Sequence, residues 1–106
     1  MATLPCPYLG SGVVLSDQRE RHISERHPDL LPRRKRLIEA TLADPDEVRR
    51  SARSTDARLF SRWYDQLGGG KHVVVVVATP QGGVPWVMTG YIARKLAGGK
   101  VEWKRN

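Results

Sequence analysis

The stretch that decides the fold is "GGGKHVVVVVATPQGG", residues 68–83, in which five consecutive valines lie between two glycine-containing turns. β-Branched residues favour strands, and a strand with one face in water alternates apolar with polar residues. Five valines without alternation therefore predict a central strand, over residues 72–79, that is buried on both faces. Side chains of neighbouring strands, a C-terminal tail or a second subunit could cover the second face, and the sequence does not choose among them.

Further strands are predicted on both sides of this one. Residues 58–65 before it and 84–94 after it are strand candidates bounded by turn residues, residues 47–52 are a weaker candidate, and residues 101–105 form a short final one. The connections between the central strands are short and rich in glycine, and strands joined in this way pair antiparallel. The second half of the chain is therefore predicted to form a meander-like antiparallel sheet.

Two helices are predicted ahead of these strands. The first starts near Asp17, which has the spacing of a capping box with Glu20, and stops near His27, because the following proline disfavours helical geometry in the residue before it. The second starts near Pro32, a good first-turn residue, and ends at Asp44, which also precedes a proline. The N-terminal half is thus predicted to be helical.

The predicted fold class is α+β, with two N-terminal helices packed on a roughly four-stranded antiparallel sheet. A length of 106 residues is that of one ordinary domain, so residues 1–106 are expected to form a single domain. Residues 1–12 contain two prolines and are expected to be an irregular N-terminal segment.

Composition points to a polyanionic partner. The chain has 18 Lys and Arg against 11 Asp and Glu, a net charge of +7 and a sequence pI near 10.2, which favours nucleic acid first and an acidic protein second. Cys6 is the only cysteine, so no intramolecular disulfide can form and a reducing, cytoplasmic location is expected. The longest apolar run, residues 73–78, is far shorter than the about 20 residues that span a bilayer as a helix, and no targeting segment is expected.

The predicted first helix and the turn after it are strongly basic. The segment "RERHISERHPDLLPRRKR", residues 19–36, holds six arginines, one lysine and two histidines. At about 100° per residue, Arg19, His22 and Arg26 fall on one narrow arc of the helix. Histidine exchanges its proton near neutral pH and arginine matches phosphate oxygens, so the arc suits RNA cleavage without a metal. A solvated basic helix surface is the alternative, and His22 and His27 lack the spacing of a metal site.

The strands supply further candidates. Alternation places two arginines and two aromatic residues on one face of the strand over residues 58–65: Arg58, Phe60, Arg62 and Tyr64. Arginine binds phosphate and aromatic rings stack on unpaired bases, so this face suits RNA. Phe60 and Tyr64 could instead be half-buried sheet residues, and that role is favoured for at least one of them. Thr89 and Tyr91 share a face of a later strand, where Tyr91 could donate a proton or orient a phosphate.

A family resemblance follows from the order of these segments. The succession of HISERHPDL, ATLADPDEVRR, LFSRWYDQ, VVVVVAT and VMTGYIARK resembles the phage- and toxin-associated branch of the barnase/EndoU/colicin/RelE-like (BECR) ribonuclease fold. The resemblance covers nearly the whole chain from Val13 onward. It implies a metal-independent endoribonuclease without a cofactor, of a kind that is often a toxin neutralised by a tightly bound partner protein.

The resemblance also implies roles for particular residues. Six are implied to be catalytic: His22, Arg26, Arg62, Tyr64, Thr89 and Tyr91. His22 would be the general base or acid and the two arginines would hold the phosphate, while the hydroxyl-bearing residues would orient it or act as a second acid. Four more basic residues are predicted to contact RNA or its phosphates: Arg19, His27, Arg58 and Lys95.

The function predicted from the sequence is cleavage of RNA by attack of the 2′-hydroxyl, with 2′,3′-cyclic phosphate ends as products. An acidic antitoxin or immunity protein and a second copy of the chain are further partners to consider. Two other functions stay open at this point. One is a nucleic-acid-binding module without catalysis, and the other is a protein-interaction domain that meets an acidic partner.

Overall fold

One sheet runs through almost the entire chain. The computed structural model describes residues 1–106 and contains a seven-stranded mixed sheet with two α-helices. The strands are β1 (Ala2–Cys6), β2 (Ser11–Leu15), β3 (Glu47–Arg50), β4 (Ala57–Tyr64), β5 (Lys71–Ala78), β6 (Trp86–Ala93) and β7 (Lys100–Lys104). The helices are α1 (Asp17–Arg26) and α2 (Lys35–Ala43), and a 3₁₀ turn (Pro7–Leu9) joins β1 to β2. In space the strands are ordered β1-β2-β6-β5-β4-β3-β7, and every neighbouring pair is antiparallel except β2 and β6.

The predicted fold class is wrong. The chain begins with two strands, not with two helices, and the sheet has seven strands, not four. The segment expected to be irregular contains β1, whose Pro5 lacks a backbone N–H and is tolerated because β1 is an edge strand that pairs only with β2. The antiparallel run from β3 to β6 follows the helices as predicted, but β7 then returns to pair with β3 at the other edge.

The helices differ slightly from their predicted bounds. α1 is capped by Ser16, whose hydroxyl accepts a hydrogen bond from the Arg19 amide at 3.1 Å, so the cap lies one position before the predicted capping box. The helix ends at Arg26, in agreement with the prediction that Pro28 stops it. α2 begins only at Lys35, after a series of turns, and so starts later than the predicted position at Pro32.

One face of the sheet, the helix face, packs against α2 and the turns before it. Phe60, Val75 and Gly90 are opposite one another on β4, β5 and β6, and the first two are fully buried. A Cβ atom added to Gly90 would lie 3.3 Å from Leu30 and 3.9 Å from Ile38, which are fully buried in the same core. Glycine at this position therefore lets the covering residues approach the sheet closely.

The opposite face, the open face, has no helix against it. Its residues alternate with those of the helix face, so Val74 lies between Ser61 of β4 and Tyr91 of β6. Val74 is nevertheless only 2% exposed, whereas Val76 is partly exposed. β5 is the middle strand of the sheet, which confirms the prediction of a central strand.

α1 runs beside β6 where β2 leaves the sheet. β2 pairs with β6 only at Val14 and Trp86, and the chain then turns at Ser16 into α1. The helix follows the same edge of β6, as shown by the Arg19 guanidinium, which donates to the Met88 carbonyl at 3.5 Å. Ile23 buries this helix in the core with no exposed surface. Neither helix is long and apolar enough to cross a membrane.

Candidate functional site

The contact between α1 and β6 brings basic and aromatic side chains together. At the start of the helix, the Arg19 guanidinium lies over the Trp86 ring, 5.3 Å from its centroid. At its end, the His27 ring lies 6.0 Å from the Tyr91 ring with an angle of 41° between the planes. Both ends of α1 therefore contact aromatic residues of β6, in the same order along the two elements.

The middle of this helix edge holds two of the predicted catalytic residues. His22 and Arg26 share the arc of Arg19; His22 is partly exposed and Arg26 is exposed. Of the seven basic residues in the segment 19–36, only Lys35 forms an ion pair, with Glu20 at 3.0 Å. Six of these seven side chains therefore have no ion pair within the chain. Glu20, Glu25 and Asp29 offset part of the charge, but the segment stays net positive and can attract a polyanion.

Thr89 and Tyr91 lie next to this edge on the open face; the alternation predicted that they share a face but not which one. They are opposite Val76 and Val74 of β5 and are both partly exposed. Burial raises the pKa of Tyr91 above its ordinary value, so its phenol is protonated at neutral pH. Tyr91 can therefore donate a hydrogen bond to an anionic oxygen.

Tyr64 lies on the helix face, away from this group. It is only 7% exposed, and its hydroxyl lies 3.0 Å from the Thr41 hydroxyl and donates to the Leu37 carbonyl at 3.2 Å. Burial raises the pKa of Tyr64 as well. The hydroxyl thus joins α2 to β4 inside the core, and the thickness of the sheet separates it from Tyr91.

The two arginines of the same strand also have structural partners. The Arg62 guanidinium is 3.7 Å from the Asp44 carboxylate and 3.5 Å from the Ala40 carbonyl at the end of α2. Arg58 donates to Glu102 at 2.8 Å and to the Thr79 hydroxyl at 2.6 Å. The predicted face of arginines and aromatics therefore exists, but α2 and β7 occupy it.

The structure accordingly divides the predicted site residues into two groups. Those beside or on the open face are Arg19, His22, Arg26, His27, Thr89 and Tyr91. Those on the helix face are Arg58, Arg62 and Tyr64. Lys95 follows the end of β6 and is exposed, with no hydrogen bond or ion pair that ties it to either group.

The sequence assigned no role to His72 and none to Trp63, which lie on the open face. The two rings are 4.9 Å apart at 72°, and His72 is the residue of β5 next to Val74 on that face. Alternation along β4 places Trp63 on the opposite face from Arg62 and Tyr64, and this is the sequence signal that could have pointed to it.

A second charged cluster, centred on Glu102, holds the far edge of the sheet. Its carboxylate accepts from Tyr8 at 2.6 Å, from Arg58 at 2.8 Å and from Arg50 at 3.4 Å. Burial alone would raise the pKa of Glu102, but the hydrogen bonds and charges of its partners outweigh burial and lower it. Burial and the same carboxylate raise the pKa of Tyr8 to about 12. The cluster ties the 3₁₀ turn to β7 and has a structural role.

Similarity to known proteins does not identify the site. No family model matches the chain, and no curated protein or solved structure compared with it matches either. No group of three or more His, Cys, Asp or Glu side chains is arranged so that it could hold a metal ion. The resemblance to BECR ribonucleases therefore remains a prediction.

Proposed function

We propose that this protein is a metal-independent endoribonuclease whose active site lies between α1 and the β6 edge of the open face. The main support is the position of α1, which places unneutralised arginines and two histidines along the strand that holds Thr89 and Tyr91. Imidazole can act as a base or an acid in the transesterification of RNA, and guanidinium and phenol can stabilise the charge that builds on the phosphate. The lone Cys6 supports a cytoplasmic location, and an acidic antitoxin or immunity protein fits the net charge.

The proposed reaction assigns a separate task to each group. His22, in its neutral form, accepts the proton of the 2′-hydroxyl, and the resulting oxygen attacks the phosphorus. Arg19 and Arg26 stabilise the charge that builds on the phosphate oxygens, to which Tyr91 also donates a hydrogen bond. The bond from phosphorus to the 5′-oxygen breaks, and that oxygen takes a proton from the His27 imidazolium, whose ring lies 6.0 Å from that of Tyr91. This role goes beyond the phosphate contact that the sequence predicted for His27. The products are a 2′,3′-cyclic phosphate and a 5′-hydroxyl.

The experiment is cleavage of a mixed RNA in excess EDTA, followed by analysis of the product ends. We expect the parent protein to release cyclic phosphate ends and His22→Ala to lose about 100-fold or more in rate, the size of a general base contribution. The fold of the variant is checked by circular dichroism and by its melting temperature. Cleavage at the parental rate by a folded His22→Ala would remove this residue from the mechanism.

A matched pair of arginines on one helix tests the role of the arc. Arg26 and Arg21 are both exposed on α1, but only Arg26 lies on the arc beside β6. Arg26→Ala should slow cleavage substantially, whereas Arg21→Ala should change it little. An equal effect of both would show that total charge matters and that the position of the arc does not.

A nucleic-acid-binding module without catalysis is the second candidate. Its support is that no hydrogen bond within the chain orients the ring of His22 or of His27, although catalytic imidazoles are commonly held by such a bond. RNA that is retarded in a gel but stays intact would favour this candidate over the ribonuclease.

A further inference from the structure

Trp63 is exposed and yet held in place by several contacts. It lies near the end of β4 on the open face, with 42% of its surface exposed. Its backbone N–H donates to Asp46 at 2.7 Å, and its indole N–H donates to Asp65, also at 2.7 Å. The edge-to-face contact with His72 adds a third constraint on the ring. The indole is therefore oriented although much of it faces solvent.

Gly70 lies against the six-membered ring of the indole. A Cβ atom at this position would lie 2.2 Å from the Trp63 indole, so only glycine lets the backbone pass so close. The φ angle of Gly70 is also +98°, which a side chain would disfavour. The turn between β4 and β5 thus has a backbone shape that accommodates the indole. An indole that is fixed by such contacts and still 42% exposed is suited to stacking.

The Trp63 indole lies on the same face of the sheet as the proposed active site. Trp63 is opposite His72 on β5, and His72 is opposite Ala93 on β6. Tyr91 lies two residues along β6 from Ala93, so two strand spacings and two residues, about 12 Å in all, separate it from Trp63. An RNA strand whose phosphate is held between α1 and β6 can therefore extend over the open face and reach the indole. A duplex cannot use this contact, because its base faces are already stacked on each other.

We propose that Trp63, supported by Gly70 and flanked by His72, is a stacking platform for an unpaired base that flanks the cleaved phosphate. The substrate class of the enzyme is then single-stranded RNA. This inference rests on the proposed function, since it uses the same open face. Stacking of a base on an aromatic side chain is tolerant of base identity, so the platform selects strandedness over sequence.

The test measures binding separately from cleavage. A fluorescent single-stranded 2′-O-methyl RNA has no free 2′-hydroxyl and so cannot be cleaved by the proposed reaction, and its affinity is measured by anisotropy. Trp63→Ala should weaken binding about tenfold, within the range found for loss of one stacked base, and Trp63→Phe should retain most of the affinity. The control is Trp103→Ala, because Trp103 is similarly exposed at 38% but contacts Tyr8 at the far edge of the sheet.

The same 2′-O-methyl RNA annealed to its complement provides the second control. Trp63→Ala should bind this duplex as well as the parent protein does. Unchanged single-strand affinity in Trp63→Ala, or an equal loss for single strand and duplex, would overturn the proposal. If Trp63→Ala does not fold, the double variant Trp86→Phe, Trp103→Phe is used instead, in which Trp63 is the only tryptophan. Absence of quenching of its fluorescence by the single strand would also overturn the proposal.

The outcomes separate this inference from the proposed function. If the parent protein does not cleave natural RNA while Trp63→Ala still loses affinity for the single strand, the platform stands and the ribonuclease proposal fails. If natural RNA is cleaved but single-strand affinity is independent of Trp63, the platform fails alone. Binding of an acidic protein on this face in place of RNA would appear as no affinity for either probe and would overturn the inference.

Discussion

Replacing one tyrosine by phenylalanine on each face of the sheet tests where the chemistry takes place. Tyr64→Phe removes a hydroxyl that contacts Thr41 and the Leu37 carbonyl inside the core. Tyr91→Phe removes a hydroxyl that makes no hydrogen bond within the chain and lies on the open face near His27. The two changes delete the same atom, so any difference between them reflects the location alone.

The structure determines the size of each effect. In Tyr64→Phe the Thr41 hydroxyl keeps its own 2.6 Å bond to Leu37, so no buried partner loses its only hydrogen bond. The expected cost is then that of one net hydrogen bond, about 1 kcal/mol, and the melting temperature falls by roughly 4–8 °C. Tyr91→Phe should change stability by less than about 0.5 kcal/mol, because no internal contact of the hydroxyl is lost.

Cleavage should respond in the opposite way. Tyr91→Phe removes a donor to the phosphate and should slow the reaction by roughly 10- to 100-fold, below the largest losses known for single oxyanion donors. Tyr64→Phe should cleave at the parental rate. Urea unfolding measures stability, and RNA cleavage in EDTA, well below both melting temperatures, measures activity. Loss of cleavage in a folded Tyr64→Phe would refute the assignment of the site to the open face and would return Tyr64 to catalysis.

Two further predictions concern charge. The affinity for RNA falls as salt rises, and Arg19→Ala should reduce the slope of log affinity against log salt concentration by about 1. Arg50→Ala should reduce this slope less, because the Arg50 guanidinium already pairs with Glu102. Equal slopes for the two variants in a fluorescence titration would contradict this. The lowered pKa of Glu102 means that its ionised form stabilises the fold at pH values above the ordinary carboxyl pKa, and this contribution is lost as the pH falls through the lower, folded-state pKa. Glu102→Gln should therefore reduce stability near neutral pH and should lose less stability than the parent protein as the pH falls. If the urea midpoints of both proteins fall in parallel with decreasing pH, the carboxylate does not contribute.

Local sequence signals predicted the elements whose ends are set by one or two residues. Pro28 marked the end of α1, and the glycine turns around residues 68–70 and 82–83 separated β4, β5 and β6 close to their observed positions. These signals act through the backbone of the residues themselves, since proline restricts its predecessor and glycine permits positive φ. Their effect does not depend on the rest of the fold.

The overall sheet could not be predicted in the same way, because its extra strands are joined by pairings far apart in the chain. β2 pairs in parallel with β6, and β7 pairs with β3 after an interval of about half the chain. Proline in β1 is compatible with an edge strand only once the neighbour of that strand is known. No local pattern contains this information, so the sequence alone predicts an irregular segment where Pro5 lies in an edge strand.

The orientation of the faces explains why the candidate site was predicted only in part. Alternation correctly grouped Arg62 with Tyr64 and Thr89 with Tyr91, but it does not say which group meets the helices. The valine run of β5 is apolar on both faces and so cannot decide the question. Gly90 is the local signal that bears on it: a glycine within a strand can mark a close approach by another element, and in the structure Leu30 lies 3.3 Å from where a Cβ atom would be. The helices therefore cover the face of Gly90, and Thr89 and Tyr91, its two neighbours along the strand, are left on the face where a substrate can bind.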